Sequence, residues 1–398
     1  MLKRFPYVTA KTLTNALGHG NAATLSALRS HRSGLRKCDF DDAALDTWIG
    51  RVDDIENVAL PGKLKRFDCR NNRLALLALE QDSFTSEISR CCTQYGKARI
   101  GLFLGTSTSG IQATELAYRL RDPETGKLPA EFDLQNTHLI YSVVDFFHEL
   151  LGITGPSLAI STACSSSAKV FAAAFRYMQA GLCDAAIVGG VDSLCLTTLY
   201  GFNSLQLVSS QPCRPWDEGR NGISIGEAAG FALLEWDKTE TSNIALLGYG
   251  ESSDAHHIAT PHPEGVGAAL AMKQALQMAE LAGQEIDYIN LHGTATPSND
   301  ISEDAALRVV FDQAPPFSST KGWTGHTLGA AGITEAIIAH QAIEHNFIPG
   351  TLNTTVPDST LSDGIVLESY NQSVNTTLSN SFGFGGNNCS LIFGEINT

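Results

Sequence analysis

Cys164, His292 and His326 are the residues whose types and settings could do chemistry together. Cys164 stands in the turn of PSLAISTACSSSAKVFAAAFRYMQAG (156–181), between a short apolar run and a stretch of small and apolar residues. The first pattern predicts a strand over 157–161 covered on both faces. The second predicts a helix that is apolar nearly all round and so buried on every side. A thiol at the start of such a helix meets free N–H groups and the positive end of the macrodipole. It is expected to lose its proton more easily than the reference thiol, whose pKa is about 8.5. The same residue also fits a buried structural cysteine, the commonest kind of free thiol.

His292 ends the apolar run YINL and opens HGTATPSNDISE; His326 lies in STKGWTGHTLGAAG. Each is flanked by glycine and threonine. Two imidazoles near a thioester can donate hydrogen bonds to a carbonyl that becomes an enolate. A lone histidine at a strand end is more often structural; two, with a cysteine at a helix start, make a candidate site. A metal centre is the rival use of such residues, but no ligand pair shows the required spacing. His256 and His257 are adjacent, so a strand would point them to opposite faces.

Alternating strands and helices must hold these groups. Residues 1–40 predict a short strand, a Gly-flanked turn and a helix over 22–30. RIGLFL (99–104) predicts a buried strand, GTSTSG opens a helix after it, and 121–137 read as an exposed loop. AAIVGGVD and GEAAGFALLEW predict strands of a first half. Residues 316–319, the helix ITEAIIAHQAIEH and the strand CSLIFGEI belong to a second. Each half alternates strands with helices and closes on a glycine-rich segment and an apolar strand, which implies α/β layers. The pattern reads as an internal duplication, 1–238 carrying the cysteine and 239–398 carrying both histidines, with a seam near 236–243.

Composition narrows the class. The 398 residues exceed one ordinary core. Hydrophobic residues make up 43% and charged residues 17%, as in a globular protein. No run reaches the ~18 apolar residues of a membrane span, and MLKRFPYVTAKTLTNALGHG lacks the apolar core of a signal peptide. Nine scattered cysteines suit a reducing cytoplasm. The net charge of −15 argues against nucleic acid as a partner. Positive charge gathers at Lys63, Lys65, Arg66, Arg70 and Arg73.

STACSSS, NLHGTATPSND, STKGWTGHTLGAAG and NSFGFGGNN, in that order, resemble the motifs of the β-ketoacyl-[acyl-carrier-protein] synthases of the thiolase superfamily. The likeness runs from about residue 39 to the end. It implies the duplicated, five-layer αβαβα thiolase fold and a dimer, either of like chains or with a second ketosynthase-like chain. It also implies condensation of an acyl-enzyme with a malonyl group on acyl carrier protein, in fatty acid or polyketide synthesis. No cofactor of the enzyme's own is implied, since the carrier brings the 4′-phosphopantetheine.

By resemblance, Cys164 is the nucleophile, and His292 and His326 handle decarboxylation. Lys321 holds the network around His292 with Glu303 behind it. Thr294 and Thr296 bind the pantetheine arm. Phe384 is the gatekeeper, whose N–H joins that of Cys164 in an oxyanion hole. Thr108 falls where the family varies a pocket-wall residue. A hydroxyl there without a local partner would suit a conjugated or polar-tolerant chain, such as an aryl polyene. Gln206 stands where elongation enzymes often carry a carrier-docking arginine, so Lys63, Lys65 and Arg66 are expected to dock the carrier instead. The N-terminal segment lacks the family's usual Val-rich strand. A non-catalytic chain-length partner is the alternative, although such partners usually lack the cysteine. A degradative thiolase fits less well, because His326 stands in a motif that thiolases lack.

Overall fold

The computed structural model describes residues 4–239 and 242–396. Residues 1–3 of the N-terminal segment and residues 240 and 241 of the expected seam lie outside them.

Among the described residues the main sheet has eleven strands; the two-residue Gly18–His19 pairs only with the end of the first, and the other ten run across the sheet. In chain order these ten are β1 (Tyr7–Asn15), β2 (Ile100–Gly105), β3 (Ser157–Ile160), β4 (Ala185–Asp192), β5 (Ala228–Glu235), β6 (Ile244–Ser253), β7 (Tyr288–Asn290), β8 (Phe317–Ser318), β9 (Thr376–Gly383) and β10 (Asn387–Glu395). Across the sheet they run β8-β7-β9-β10-β6-β1-β5-β4-β2-β3. Outward from the centre, one side reads β1, β5, β4, β2, β3 and the other β6, β10, β9, β7, β8. Each strand of the second set therefore repeats the place of the strand five earlier. The two sets meet at a single register, Tyr7 opposite Ala245.

The helices that matter here are α1 (Arg70–Leu79), α2 (Phe84–Tyr95), α3 (Ser142–Leu151), α4 (Ser166–Gln179), α5 (Leu196–Ser204), α6 (Val266–Ala279), α7 (Pro297–Val310) and α8 (Ala331–His345). Leu74, Phe84 and Phe147 of the first three cover one face of the first set through Leu102, Ile187 and Phe231. Met272 of α6 and Leu307 of α7 cover the second set through Ile289, Leu378 and Ile392. Between the sets lie α4 and α8, sharing one core of Phe171, Phe175, Ile333 and Ile337 with Val188, Leu391 and Phe393. The order is helix, sheet, helix, sheet, helix. The inner helices carry small residues where they pack together: α8 is buried from Ala331 to Ile343, and α4 from Ser166 to Phe175 except at Lys169. A Cβ on Gly332 would lie 2.4 Å from Ala168 N, so α8 meets α4 at a glycine. Each large side chain buried there contributes about 1.5–3 kcal/mol.

Two expectations are corrected. The N-terminal strand is not short: β1 spans nine residues and lies at the sheet centre, paired with both β5 and β6. β3 is not covered on both faces. It forms the end of the sheet, pairs among the described residues only with β2 and is half-buried along its length.

Candidate active site

The turn from β3 to α4 presents Cys164. Ala163 takes a left-handed φ of 52°, which reverses the chain sharply. The serines of STACSSS brace this turn. Ser165 Oγ donates to the Thr162 carbonyl (2.9 Å), and Ser166 Oγ donates to that of Ala163 (2.6 Å). Ser167 Oγ accepts the N–H of Ile333 (2.9 Å), which fastens the turn to α8.

His292 follows β7 on a bend that Glu303 of α7 holds from behind. The two Glu303 oxygens accept the N–H groups of His292 and Gly293, each at 2.8 Å. Burial pushes the Glu303 carboxyl up to about 7. Glu303 thus backs the His292 end of the network rather than pairing with Lys321. Lys321 pairs instead with Glu335 of α8 and donates to the His292 carbonyl. Its Nζ also lies 3.4 Å from His292 Nδ1. Glu335 went unnoticed in the sequence, yet it had a signal. A carboxylate inside ITEAIIAH, a helix buried all round, demands a partner.

The two imidazoles meet edge to face, with centroids 5.3 Å apart. His326 Nε2 lies 3.0 Å from Cys164 Sγ, and the Phe384 N–H also bonds the sulfur. Burial first, then the charge on Lys321, holds both histidines well below the usual imidazole range, so both are neutral. Their tautomers follow from their partners. His326 Nδ1 accepts the Leu328 N–H (3.3 Å), and His292 Nδ1 faces the Lys321 ammonium. Each Nε2 therefore carries a proton and acts as a donor. The thiol and imidazole ligand atoms all lie within 4.8 Å of one another, close enough for a metal ion. A metal would need the lone pairs on Nε2, and partners of Nδ1 that accept rather than donate. The donors present suit an oxyanion instead.

The helix start does not make Cys164 acidic. Burial outweighs the lowering effects of Lys321 and the Phe384 N–H, and the thiol is pushed up to about 11. Alkylation of Cys164 by iodoacetamide, followed by peptide mapping, should thus rise about tenfold per pH unit with no plateau below about pH 10. A plateau near pH 8 would mean that the helix terminus dominates.

Cys164, His292, His326, Thr294, Thr296 and Phe384 line one narrow pocket of about 50 Å³. The threonine hydroxyls lie 2.9 Å apart, and Thr296 also caps α7. The Phe384 ring rests on Phe202 of α5 at 5.5 Å. Asp254, Ala259, Thr260 and Pro261, which nothing in the sequence marked, also line the pocket. Their loop is tied to the glycine loop by Asp254 N–H to Gly386 O (2.9 Å) and Gly385 N–H to Ile258 O (2.8 Å). His256 and His257 lie exposed on this loop and not on a strand.

Thr108 does not line this pocket. Its hydroxyl donates to Asp192 (2.9 Å) and accepts the Ser193 N–H (3.2 Å), so it has local partners and says nothing about chain polarity. Lys63, Lys65 and Arg66 are exposed on a turn over 62–67, away from the lining. Arg66 is engaged by Glu149 and lies over the Phe67 ring at 4.8 Å. Gln206 is exposed beside Leu207, which does line the pocket.

Residues 73–240 match the family model described as beta-ketoacyl synthase, N-terminal domain, and 244–355 its C-terminal domain. The 3-oxoacyl-[acyl-carrier-protein] synthase 2 of Staphylococcus aureus is 32% identical over 87% of this chain and 92% of its own length. This chain belongs to the β-ketoacyl synthase family. The Vibrio cholerae enzyme of the same name is 29% identical over 99% of both chains. Among solved structures, a chain of the complex of the ketosynthase ApeO with its chain length factor ApeC, from Xenorhabdus doucetiae, superposes with a TM-score of 0.90. It is 36% identical and covers 99% of this synthase. The ishigamide ketosynthase/chain length factor gives 0.89 at 26% identity and the same coverage.

Proposed function

We propose that this synthase joins an acyl chain on Cys164 to a malonyl group carried by acyl carrier protein, in fatty acid or polyketide synthesis. One observation carries the reading: two neutral imidazoles, each with its proton on Nε2, beside a buried cysteine in one pocket. Cys164 Sγ attacks the incoming thioester, its bond to the acyl carbon forms, and the carrier's pantetheine thiol leaves with the proton. The malonyl thioester then takes its place along Thr294 and Thr296. Its carboxylate departs as CO₂, and the electron pair moves onto the thioester oxygen, between the two Nε2–H donors. The enolate carbon attacks the acyl carbon, the N–H groups of Cys164 and Phe384 hold the resulting oxyanion, and collapse expels the Cys164 thiolate. Proximity of carbanion and thioester supplies much of the rate. The pantetheine arm arrives on the carrier.

The test is to mix the chain with acyl-carrier thioesters and malonyl carrier. A β-ketoacyl carrier two carbons longer, with CO₂, is expected. Acyl loading without that product would favour a chain-length partner, a reading that the complete cysteine–histidine set otherwise disfavours. Thr108 no longer supports an aryl polyene substrate; similarity to a ketosynthase–chain length factor complex is the support for a polyketide role. The same likeness, with the open edge of β3, supports pairing with a like or ketosynthase-like chain, since an uncovered edge invites a partner strand. Among the described residues no helix is long and apolar enough to cross a membrane. Nine free thiols support a reducing cytoplasm.

Lys63, Lys65 and Arg66 are proposed to dock the acidic carrier. Charge reversal at Lys65 and Arg66 should weaken carrier binding most at low salt and spare turnover of a small malonyl thioester. Equal loss with both substrates would mean damage to the fold, the more so because Arg66 is already paired with Glu149.

A further inference from the structure

Asp192, the last residue of β4, is wholly buried, and among the described residues no cation pairs with it. Hydrogen-bond donors alone stabilise its charge. Its Oδ1 accepts the Thr106 hydroxyl (2.7 Å), the Ser107 N–H (2.8 Å), and the N–H and hydroxyl of Thr108 (both 2.9 Å). Its Oδ2 accepts the Ser107 hydroxyl and the Gly329 N–H, the latter at 2.6 Å. Five of these bonds go to one loop of the first half. The sixth crosses to the second half and ends three residues beyond His326.

That crossing bond needs its glycine. A Cβ on Gly329 would lie 2.7 Å from Asp192 Oδ2 and 2.8 Å from Ser107 N. Between Gly329 and His326, Leu328 holds a left-handed φ of 53°, which is strained for a residue with a side chain. Strain of this kind persists only where the surroundings enforce it. In this conformation the Leu328 N–H reaches His326 Nδ1 at 3.3 Å.

We infer that Asp192 is a positioning residue for His326: its hold on Gly329 keeps Leu328 left-handed, and so places the His326 proton on Nε2. This rests on the reading of His326 as an enolate donor. Asparagine at 192 has nearly the same shape but one donor end. Either that end faces the Gly329 N–H, or it faces the N–H groups of Ser107 and Thr108. The crossing bond is weakened in either case.

The experiment measures malonyl-carrier decarboxylation, as kcat and KM separately, for the native protein, Asp192→Asn, Ser107→Ala and His326→Ala. Melting temperature and nitrogen NMR of the labelled His326 ring are recorded alongside. Asp192→Asn should lower kcat on the order of 100-fold, as small misplacements near a reacting centre do. KM should stay unchanged, and the Nδ1 signal should move toward that of a protonated nitrogen. Ser107→Ala removes one hydroxyl from the carboxylate and covers the case in which Asp192→Asn does not fold. It should shift kcat and the Nδ1 signal in the same direction by less. Native kcat and a native Nδ1 signal in the folded variants would overturn the inference. So would a loss of kcat that only tracks the loss of folded protein. A slow His326→Ala beside a native Asp192→Asn refutes the positioning role alone; a native His326→Ala refutes the role of His326 itself.

Discussion

Alanine at His326 should slow malonyl decarboxylation by about 100- to 1,000-fold, the usual cost of removing one preorganised oxyanion donor. Acyl loading of Cys164 should change far less. His326 already carries its Nε2 proton and is held neutral by burial, so it is poorly placed to take the thiol's proton. His292→Ala should act in the same direction, and it also removes a partner of Lys321. The check is CO₂ release from malonyl carrier set beside intact-mass loading of an acyl chain. A native decarboxylation rate in either variant would move the donor role to another group.

Cys164→Ala should abolish acyl loading altogether. Eight other cysteines are present, all of them free thiols, but among the described residues only Cys164 has two imidazoles and a backbone N–H trained on its surroundings. Glutamine at the same place presents a planar carboxamide where the acyl thioester would stand. Its carbonyl can accept the Phe384 N–H. Cys164→Gln should therefore release CO₂ from malonyl carrier without any condensation product. Loading of the alanine variant at the native level, read by intact mass, would remove Cys164 from the reaction.

Much of the fold was legible because its signals are local. The small-residue helix after STACSSS had to be buried on most sides, and α4 is buried from Ser166 to Phe175 except at Lys169, with its last turn reaching the surface at Arg176 and Gln179. The alternation after residue 99 gave most of the strands of both halves. What sequence could not show depends on neighbours distant along the chain. β3 (SLAI) is richer in apolar residues than β1 (YVTAKTLTN), yet β1 is central and β3 an edge, because placement is decided by pairing.

The cysteine and both histidines were readable from residue type and glycine-rich context. Their energetics were not. A helix start argues for an acidic thiol, but burial of the fully enclosed sulfur pushes it up by more than the Lys321 charge and the Phe384 N–H bring it down. Glu335 hid inside an apolar helix, and Asp192 was only the last residue of the strand AAIVGGVD. Thr108 shows the opposite failure: a residue singled out by its place in a motif spends its hydroxyl on Asp192 and is not among the residues lining the pocket.

The most direct test of Cys164 as the site of acyl transfer is mass spectrometry of the native protein after exposure to a panel of acyl-carrier thioesters, before and after malonyl carrier is added. One acyl increment on the peptide spanning 156–181 is expected. On adding malonyl carrier it should disappear, as a β-ketoacyl carrier two carbons longer forms. An increment on another residue, or one that survives malonyl carrier unchanged, would contradict the proposed reaction.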